Sequence, residues 1–262
     1  MNDSAVTDPG RALLYQGERV VLSIGPADQL RPHVHGAAEL RVSFEEPIEC
    51  CTAGDRVTTA TSVLIPPGVR HQNRCADPYS AVLYLDPESI DYQLLRQHMV
   101  WEDPIYVGLT NLSRARQALA RLARTRPNTE DAIAAVQEHV LLGPGGPRTL
   151  DARVERVLGR LRQDPADPTP VAALADLVSL SEDRLHHLFS TEVGIPIHRY
   201  RIWRRLERAM ELYFAGANLT EAAHESGFAD SAHFSRVFTN MFGEAPSRLL
   251  RRYRQDREDP QP

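Results

Sequence analysis

Three histidines and a glutamate are placed where together they could hold a metal ion. His33 and His35 lie one residue apart in the stretch HVHGAAE, which ends on Glu39, and His71 closes the stretch IPPGVRH. Side chains at positions i and i+2 of a strand point to the same face, and Glu39 keeps the same parity. Three imidazole nitrogens and one carboxylate oxygen suit a divalent transition metal (Zn, Mn, Fe, Co or Ni) and leave positions open for a further ligand.

Other interpretations of these residues stay open. The same side chains could bond an organic effector, or could satisfy one another inside a protein core. Cys75, four residues after His71, is a candidate for an additional thiolate ligand or a redox switch, whereas a buried, inert cysteine is the ordinary alternative. The three cysteines show no CxxC spacing, which predicts a reducing compartment and no disulfide framework.

The elements that must position the histidines are short strands over residues of about 11–86. RVVLSIG, AELRVSF, SVLIPP and YSAVLYL partly alternate and are separated by Gly and Pro, a pattern typical of a small barrel or sandwich. After Pro87 the periodicity becomes helical over about 88–142, with a helical hairpin at 110–142. We expect Thr129 to cap the second hairpin helix and Trp101 to lie in the core. The fold class is therefore α+β.

From Asp151 onward the sequence is helical and contains an internal repeat. RLHHLFSTEVG recurs 49 residues later as HFSRVFTNMFG, and a short helical stretch precedes each copy. Ser181 and Asp230 are placed to cap the second helix of each unit, and Gly194 and Gly243 to end it in the left-handed conformation. Helix, tight turn and helix is the plan of a DNA-binding helix-turn-helix unit, although a bundle with duplicated hairpins has the same spacing.

The outer faces of the two second helices carry side chains suited to base edges and phosphates. A connecting helix of about 18 residues would be about 27 Å long, and could hold the two recognition helices about 34 Å apart, one turn of B-DNA. We expect some of its five arginines to reach phosphates. The candidate DNA contacts are Asp183, Arg184, His186 and His187 in the first unit, and Ser231, Ala232, His233, Ser235 and Arg236 in the second.

Bulk charge gives no support for a nucleic-acid partner. The net charge is −5, all 30 basic residues are arginine, 14 arginines face 18 acidic residues in 1–150, and 16 face 17 in 151–262. DNA binding must therefore depend on where individual arginines lie on the surface. The polar N-terminus lacks the apolar core of a signal peptide, and no apolar run reaches membrane-spanning length. We expect a cytoplasmic protein with no membrane partner.

The C-terminal part resembles the AraC/XylS-type family of bacterial transcription regulators over about 100 residues. The resemblance implies a double helix-turn-helix domain over 150–257 that reads two consecutive major grooves of double-stranded DNA. Ser179 departs from the pattern, since a glycine is usual in the first turn, and Leu250 replaces an arginine. Glu182 and Asp183 predict weaker DNA binding by the first unit. The matching signature is Ala223, Gly227, Phe228, Asp230, Ser231, Phe234, Arg236, Phe238, Phe242, Gly243 and Pro246.

The N-terminal pattern HxHxxxE with PxGxxH is similar to the cupin barrel. This resemblance implies a cupin-like effector-binding and dimerisation domain over 1–145, followed by a linker, GPGGP, at 143–147. A metal ion or small molecule in the barrel would then control DNA binding in a homodimer, with RNA polymerase as a further partner and without catalysis. The helical hairpin would form the dimer surface or pack onto the barrel.

Two rival functions follow from the same residues. The first is a metal-dependent cupin enzyme, of dioxygenase or isomerase type, with an appended helical domain. The second is a DNA-binding protein whose barrel only dimerises. Salt-sensitive, sequence-specific DNA binding separates the regulator from the enzyme, and a response to an effector separates it from the dimerisation module.

Overall fold

The computed structural model describes residues 12–26, 30–54, 56–143 and 148–255, with the side chains of 254 and 255 left out. The polar N-terminal segment, residues 144–147 of the expected linker, and residues 256–257 lie outside these ranges. The chain divides into two compact units, Met1–Arg148 with Arg251–Pro262, and Thr149–Leu250. Over the described ranges, no helix combines the length and apolar character needed to cross a bilayer.

The first unit is built on two antiparallel sheets. The larger has the strand order β1-β2-β9-β4-β7-β11-β10, and the smaller has the order β3-β8-β5-β6. The strands are, in chain order, β1 (Leu13–Gln16), β2 (Val20–Pro26), β3 (His33–Val34), β4 (Ala38–Ser43), β5 (Ile48–Thr52), β6 (Val57–Ala60), β7 (Ser62–Ile65), β8 (Arg70–Cys75), β9 (Tyr79–Leu85), β10 (Val100–Glu102) and β11 (Ile105–Val107).

Helices follow the strands and then make up the second unit, which confirms the α+β class. The first three helices lie in the first unit. The last helix continues past Leu250, where the second unit ends. The helices are α1 (Ile90–His98), α2 (Leu112–Thr125), α3 (Thr129–His139), α4 (Ala152–Gln163), α5 (Val171–Leu177), α6 (Glu182–Val193), α7 (Ile197–Phe214), α8 (Leu219–Glu225), α9 (Ser231–Phe242) and α10 (Pro246–Gln255).

The region expected to be helical over 88–142 also contains a β-hairpin, so that part of the prediction was wrong. β10 and β11 pair with each other, and β11 adds to the large sheet through Tyr106 opposite Leu64. Trp101 is 50% exposed, contrary to the expectation of a core position, because β10 is the last strand of that sheet. Asn128 and not Thr129 caps α3, with its side chain accepting from the Asp131 amide.

One face of the large sheet is apolar, and the other carries both polar and apolar buried side chains. Leu22, Leu40 and Leu83 pack with Leu119 of α2 and Val136 of α3 in one buried core. The helical hairpin therefore covers this face, which is one of its two expected roles. Alternate residues of β4 point to the opposite side of the sheet, and those residues are polar. The interior between the two sheets thus contains a group of buried polar side chains.

The second unit confirms the architecture expected from the repeat. α7 has 18 residues, and its Tyr200 packs on Phe189 of α6 while its Trp203 packs on Phe242 of α9. Apolar residues of the repeat face inward in each copy, since Leu185 and Phe234, 49 residues apart, are both buried. The connecting helix therefore contributes core residues to both helix-turn-helix units.

The expected caps are confirmed in both units. The side chain of Ser181 accepts from the Arg184 amide, and that of Asp230 accepts from the His233 amide. Gly194 and Gly243 end α6 and α9 at positive φ angles of 90° and 73°. Hydrogen bonds to these caps satisfy amide groups that have no partner within the helix.

The first turn keeps the backbone conformation of the second at the position of the missing glycine, and differs from it in length. Ser179 has a φ of 55°, so a serine adopts the left-handed conformation that Gly227 adopts in the second unit at 80°. α5 and α8 begin at Val171 and Leu219, 48 residues apart, whereas α6 and α9 begin at Glu182 and Ser231, 49 apart. The second turn is therefore one residue longer.

Candidate functional site

Strands from both sheets bring the metal-ligating residues together. His33 on β3 lies directly opposite His71 on β8, and His35 follows β3, while Glu39 comes from β4 of the larger sheet. The ligand atoms of these four buried residues lie within 4.8 Å of one another. Strand parity foresaw the two neighbouring histidines, but β3 ends at Val34, so Glu39 reaches the cluster after the chain has crossed to the other sheet.

The four ligand atoms converge on one small volume. The Nε2 atom of His35 lies 2.7 Å from Oε2 of Glu39, and the Nε2 atom of His71 lies 3.4 Å from the same oxygen. The Nε2 atoms of His33 and His35 are 3.1 Å apart. Two imidazoles therefore present Nε2 to one carboxylate oxygen, and the third presents Nε2 to its neighbour His35.

Backbone carbonyls fix the tautomers of two of these histidines. The Nδ1 atom of His33 lies 2.6 Å from the Arg31 carbonyl oxygen, and that of His71 lies 3.0 Å from the Val69 carbonyl oxygen. Because a carbonyl only accepts, each Nδ1 carries the proton, and in a neutral ring Nε2 then presents a lone pair. Metal-ligating histidines usually donate their second ring N–H in this way.

Burial lowers the pKa of two of these histidines, His33 and His35. Desolvation, followed by the neighbouring His35 and His71, lowers the pKa of His33 to about 2. Desolvation also lowers the pKa of His35, although Glu39 opposes the shift. A neutral His35 can donate its Nε2–H to Oε2 of Glu39, whereas a neutral His33 or His71, with its proton on Nδ1, presents a lone pair at Nε2. Among the described residues, the Nε2 atom of His71 has no hydrogen-bond partner.

Glu39 stays ionised in spite of its burial. Desolvation alone would raise its pKa, but the Arg41 guanidinium and the His35 ring hold that pKa well below its ordinary value. Its Oε1 atom accepts from Arg41 Nε at 2.9 Å and from Asn73 Nδ2 at 2.9 Å. These two bonds leave Oε2 directed at the histidines. The donor set therefore fits a divalent transition metal, which would use the three Nε2 lone pairs and this oxygen.

Cys75 does not belong to the four-residue group. It lies two residues beyond Asn73 on β8, and burial raises the pKa of its thiol. Burial also raises the pKa of Cys50 to about 12. Raised thiol pKa values disfavour the thiolate that metal binding or redox exchange needs, so the structure gives no support to the cysteine alternative.

The candidate DNA contacts lie on the outer faces of α6 and α9, with different exposure. Asp183, Arg184 and His187 are exposed in the first unit, and His186 is half-buried. In the second unit the His233 ring packs edge-on against Phe228, with centroids 5.7 Å apart. The exposed candidates there are Ser231, Ala232 and Arg236, and the half-buried ones are His233 and Ser235.

Sequence analysis missed one position in each helix. Thr191 and Asn240 are exposed and lie one turn beyond His187 and Arg236. Residues four apart on a helix share a face, so each outer face is a stripe of three side chains that the 49-residue repeat matches in pairs. Continuing the i+4 spacing by one turn would have found both. The stripes are Asp183, His187 and Thr191 on α6, and Ala232, Arg236 and Asn240 on α9.

Four of the five arginines of α7 have partners inside the unit, and the expectation that some of the five reach phosphates stays a prediction. Arg201 donates to the Thr169 carbonyl, and Arg205 donates to the Pro165 carbonyl, so both hold the loop between α4 and α5. Two more form ion pairs one turn along the helix, Arg204 with Glu207 at 2.8 Å and Arg208 with Glu211 at 3.3 Å.

Comparison with known proteins gives similarities over both units. A family model described as a helix-turn-helix domain matches residues 174–252. The HTH-type transcriptional activator RhaS of Enterobacter sp. (strain 638) is 29% identical over 186 residues, covering 64% of this chain and 67% of the relative. RhaS of Escherichia fergusonii is 29% identical over 188 residues, with the same two coverages.

A solved structure matches more of the chain at lower identity. Wild-type ToxT from Vibrio cholerae, crystallised with an unsaturated fatty acid bound, has a TM-score of 0.58 to this chain. The match covers 89% of this chain and 95% of ToxT at 14% sequence identity. It therefore shows a shared fold, in which an antiparallel β unit precedes a helical unit with helix-turn-helix motifs.

Proposed function

Because this chain belongs to the AraC/XylS-type family of transcription regulators, we propose that a divalent transition metal ion held by His33, His35, Glu39 and His71 controls its binding to double-stranded DNA. The protein is a sequence-specific DNA-binding regulator, and the open question is which effector its N-terminal unit senses. The observation that supports a metal is the convergence of four buried ligand atoms within 4.8 Å.

A cation supplies what this group of side chains lacks. Two of the histidines hold their protons on Nδ1, so their Nε2 atoms and the Glu39 oxygen are all acceptors. Buried acceptors without a donor are costly, and a divalent ion with nitrogen and oxygen ligands removes that cost. The ion would act on the regulator only through the free energy of its binding, and would take part in no reaction.

The position of the ligands suggests how binding is transmitted. His33 and His71 belong to the smaller sheet, whereas Glu39 belongs to the larger one. An ion would bridge the two sheets. It would favour the conformation in which ligands from both sheets reach it, to the extent that it binds that conformation more tightly than the alternative. Effector coupling of this kind is typically about 1–3 kcal/mol, enough to change operator occupancy.

An organic effector is the main rival. ToxT, which shares the fold, is described with an unsaturated fatty acid bound. For this chain the donor set favours the metal, because His33 and His71 donate Nδ1–H to backbone carbonyls, as metal-ligating histidines usually do. An enzymatic role has less support, since the relatives that match are transcription activators.

The DNA partner is expected to contact the exposed stripes of α6 and α9. RhaS is described as a transcriptional activator, so we extend the proposal to a homodimer that acts with RNA polymerase in the cytoplasm. Arg236 is the exposed cation of the second stripe, and arginine is the side chain best suited to guanine edges and phosphates.

The test combines metal analysis with DNA retardation. Full-length protein, purified without chelators or a polyhistidine tag, should contain about one transition metal ion per chain by elemental analysis. The double variant His33→Ala with His71→Ala should lose the metal and the metal response while keeping basal binding to a fragment of its own upstream region. Cys75→Ala, outside the group, is the matched control and should behave as wild type.

Two results would contradict the proposal. Wild-type protein that stays metal-free after incubation with each candidate ion would exclude the metal centre. A double variant whose DNA retardation still responds to metal would show that the ion acts elsewhere. A response to an organic molecule in metal-free protein would favour the rival effector.

A further inference from the structure

The two end strands of the large sheet differ in how far they are covered. β1 is half-buried, and its Leu13 packs with Ile133 of α3 against the same core. β10, at the opposite end, is exposed along its whole length, with Val100 62% and Trp101 50% exposed. An exposed end strand presents backbone groups and side chains that can pair with another chain. β10 is therefore the open edge of this sheet.

The backbone of Trp101 points toward this open edge. The Gly108 amide donates to the Ser62 carbonyl beside β7, and hydrogen-bonded pairs alternate with non-hydrogen-bonded pairs along an antiparallel ladder. Tyr106, two residues before Gly108, therefore directs its own amide and carbonyl to β7 and away from Trp101, the residue opposite it on β10. The amide and carbonyl of Trp101 consequently face away from β11, where a further strand could bind them.

The side chains beside the open edge are of the types that dominate protein interfaces. The indole of Trp101 packs on the Tyr106 ring with centroids 4.6 Å apart, and Arg96 Nε donates to the Tyr106 hydroxyl at 3.0 Å. Tryptophan, tyrosine and arginine are the residues most enriched at interface hot spots. Because these contacts already hold Trp101 in place, little side-chain freedom would be lost on association.

The open edge continues into the smaller sheet. Arg56, which precedes β6, donates to the Asp103 carbonyl in the turn after β10. β6 is an end strand of the smaller sheet, and its Val57 is 54% exposed. Both sheets therefore end on the same side of the unit, and the exposed apolar surface there is larger than β10 alone.

The distribution of charge favours a second copy of this chain as the partner. Arg96 and His98 are exposed just before β10, and Glu102 and Asp103 are exposed at its end. A two-fold axis at Trp101 would pair β10 antiparallel with β10 of a second copy. The basic end of each strand would then lie along the acidic end of the other, so the edge is complementary to itself.

The helical hairpin is less suited to such a contact. Its apolar side chains, Leu119 and Val136 among them, are buried in the core that it forms with the large sheet. α2 exposes Arg114, Arg121 and Arg124 and contains no acidic residue. A two-fold contact of α2 with itself would therefore bring like charges together.

We propose that β10 pairs with β10 of a second copy of this chain, so that the two large sheets form one continuous sheet. The inference rests on the homodimer of the proposed function and assigns that dimer to a surface. A contact built around three residues is smaller than a standard interface of roughly 800 Å² per partner. We therefore expect a dimer that dissociates on dilution and that DNA with two binding sites strengthens by raising the effective concentration.

Sedimentation velocity of the full-length protein without DNA, over a range of protein concentrations, measures the association. Wild type should shift from monomer to dimer as its concentration rises. Trp101→Ala should weaken dimerisation by about tenfold or more, as at an interface hot spot. Trp101→Pro also removes the outward amide, which an edge strand tolerates, and should abolish the dimer. Leu177→Ala, at an exposed apolar side chain of the second unit, is the matched control and should dimerise as wild type.

Two charge variants test the antiparallel pairing itself. With Trp101 on the axis, Glu102 of each copy would lie diagonal to His98 of the other, within reach of long side chains. Glu102→Arg and His98→Glu should each weaken dimerisation by about threefold to tenfold, since the dimer contains the pair twice. An equimolar mixture of the two variants should associate as wild type, because each end of the mixed dimer again pairs an acidic with a basic side chain.

The outcomes separate this inference from the proposed function. Wild type that stays monomeric at every concentration would overturn the edge pairing, and a metal response in DNA retardation would still support the proposed function. A dimer that Trp101→Pro leaves intact, with folding verified by circular dichroism, would place the interface on another surface. A mixture of the charge variants that associates no better than either alone would exclude the antiparallel pairing at Trp101. A normal dimer without any metal response would contradict the proposed function alone.

Discussion

The two helix-turn-helix units share one framework and differ in the chemistry of their outer faces. Each has a capped second helix that ends on a left-handed glycine, Gly194 in one and Gly243 in the other. The matched positions on the exposed stripes are Asp183 and Ala232, His187 and Arg236, and Thr191 and Asn240. The two units therefore share their packing and their helix caps, and they differ at their exposed positions.

This difference assigns unequal parts to the two units. Phosphate neutralisation supplies much of the affinity of a DNA-binding protein, and the second stripe has an arginine where the first has a histidine. Glu182 and Asp183 add negative charge at the exposed start of α6. We therefore expect the second unit to supply most of the affinity for DNA, and the first to act mainly in discriminating between DNA sequences.

The largest expected effect concerns the turns. A Cβ atom at Gly227 would lie 2.9 Å from the Ala166 Cα atom, and the residue has a φ of +80°. Gly227→Ala combines overpacking with left-handed strain and should cost about 2–4 kcal/mol of unfolding free energy. Chemical denaturation of the full chain, followed by tryptophan fluorescence, measures this loss.

Gly194→Ala is the matched control. Gly194 has a φ of +90°, but a Cβ atom there would meet nothing within 4 Å. Its substitution should therefore cost only the strain of the left-handed conformation, about 1 kcal/mol. Equal losses in the two variants would show that the contact with Ala166 contributes nothing to stability.

The sequence anticipated the elements whose signals are local. Helical periodicity and capping residues located α6 and α9, because caps and apolar spacing act within one element. The hairpin of β10 and β11 escaped notice because β11 is defined by pairing with β7, about forty residues earlier in the chain. Tertiary pairing of this kind leaves a weak local signal in short strands.

The reasoning that brought the candidate metal ligands together was only partly correct. Strand alternation placed His33 and His35 on one side, but it gave no information on Glu39, which belongs to the other sheet. Alternation also places Arg41 on the same face of β4 as Glu39, where the two side chains pair, so this contact could have been predicted from the sequence.

Arg236→Ala should produce the largest loss of DNA affinity among the stripe substitutions. Removing an arginine that contacts a base or phosphate costs about 1–3 kcal/mol, or roughly 5- to 150-fold in affinity. Retardation of an upstream DNA fragment measures the change, and denaturation shows that folding is intact. A footprint identical to that of wild type would remove Arg236 from the interface.

His187→Ala, at the matched position of the first unit, should have a smaller effect. An imidazole offers fewer hydrogen-bond donors than a guanidinium, so we expect a loss of about threefold to tenfold, in keeping with about 0.5–1.5 kcal/mol for one hydrogen bond. If His187→Ala weakens binding more than Arg236→Ala, the assignment of affinity to the second unit is reversed.

Asp183→Asn should strengthen binding. The side chain keeps its shape but loses the negative charge that faces the phosphates, so affinity at low salt should rise by about twofold to fivefold and the gain should fade as salt screens the surface. Titrations at two salt concentrations measure both effects. A loss of affinity instead would indicate that Asp183 accepts a hydrogen bond from a cytosine amine.

Ser179→Gly has the smallest expected effect and tests the difference between the turns directly. Ser179 adopts a φ of +55°, a conformation that costs a non-glycine residue about 1–2 kcal/mol, while the glycine adds flexibility to the unfolded chain that offsets part of the gain. We expect a net stabilisation of about 0.5 kcal/mol, or roughly 2–4 °C in Tm for a unit of this size. DNA affinity should stay unchanged, because the turn carries none of the stripe residues. A lower Tm would mean that the serine side chain stabilises the first turn by more than its left-handed backbone conformation destabilises it. The two turns would then be stabilised by different means.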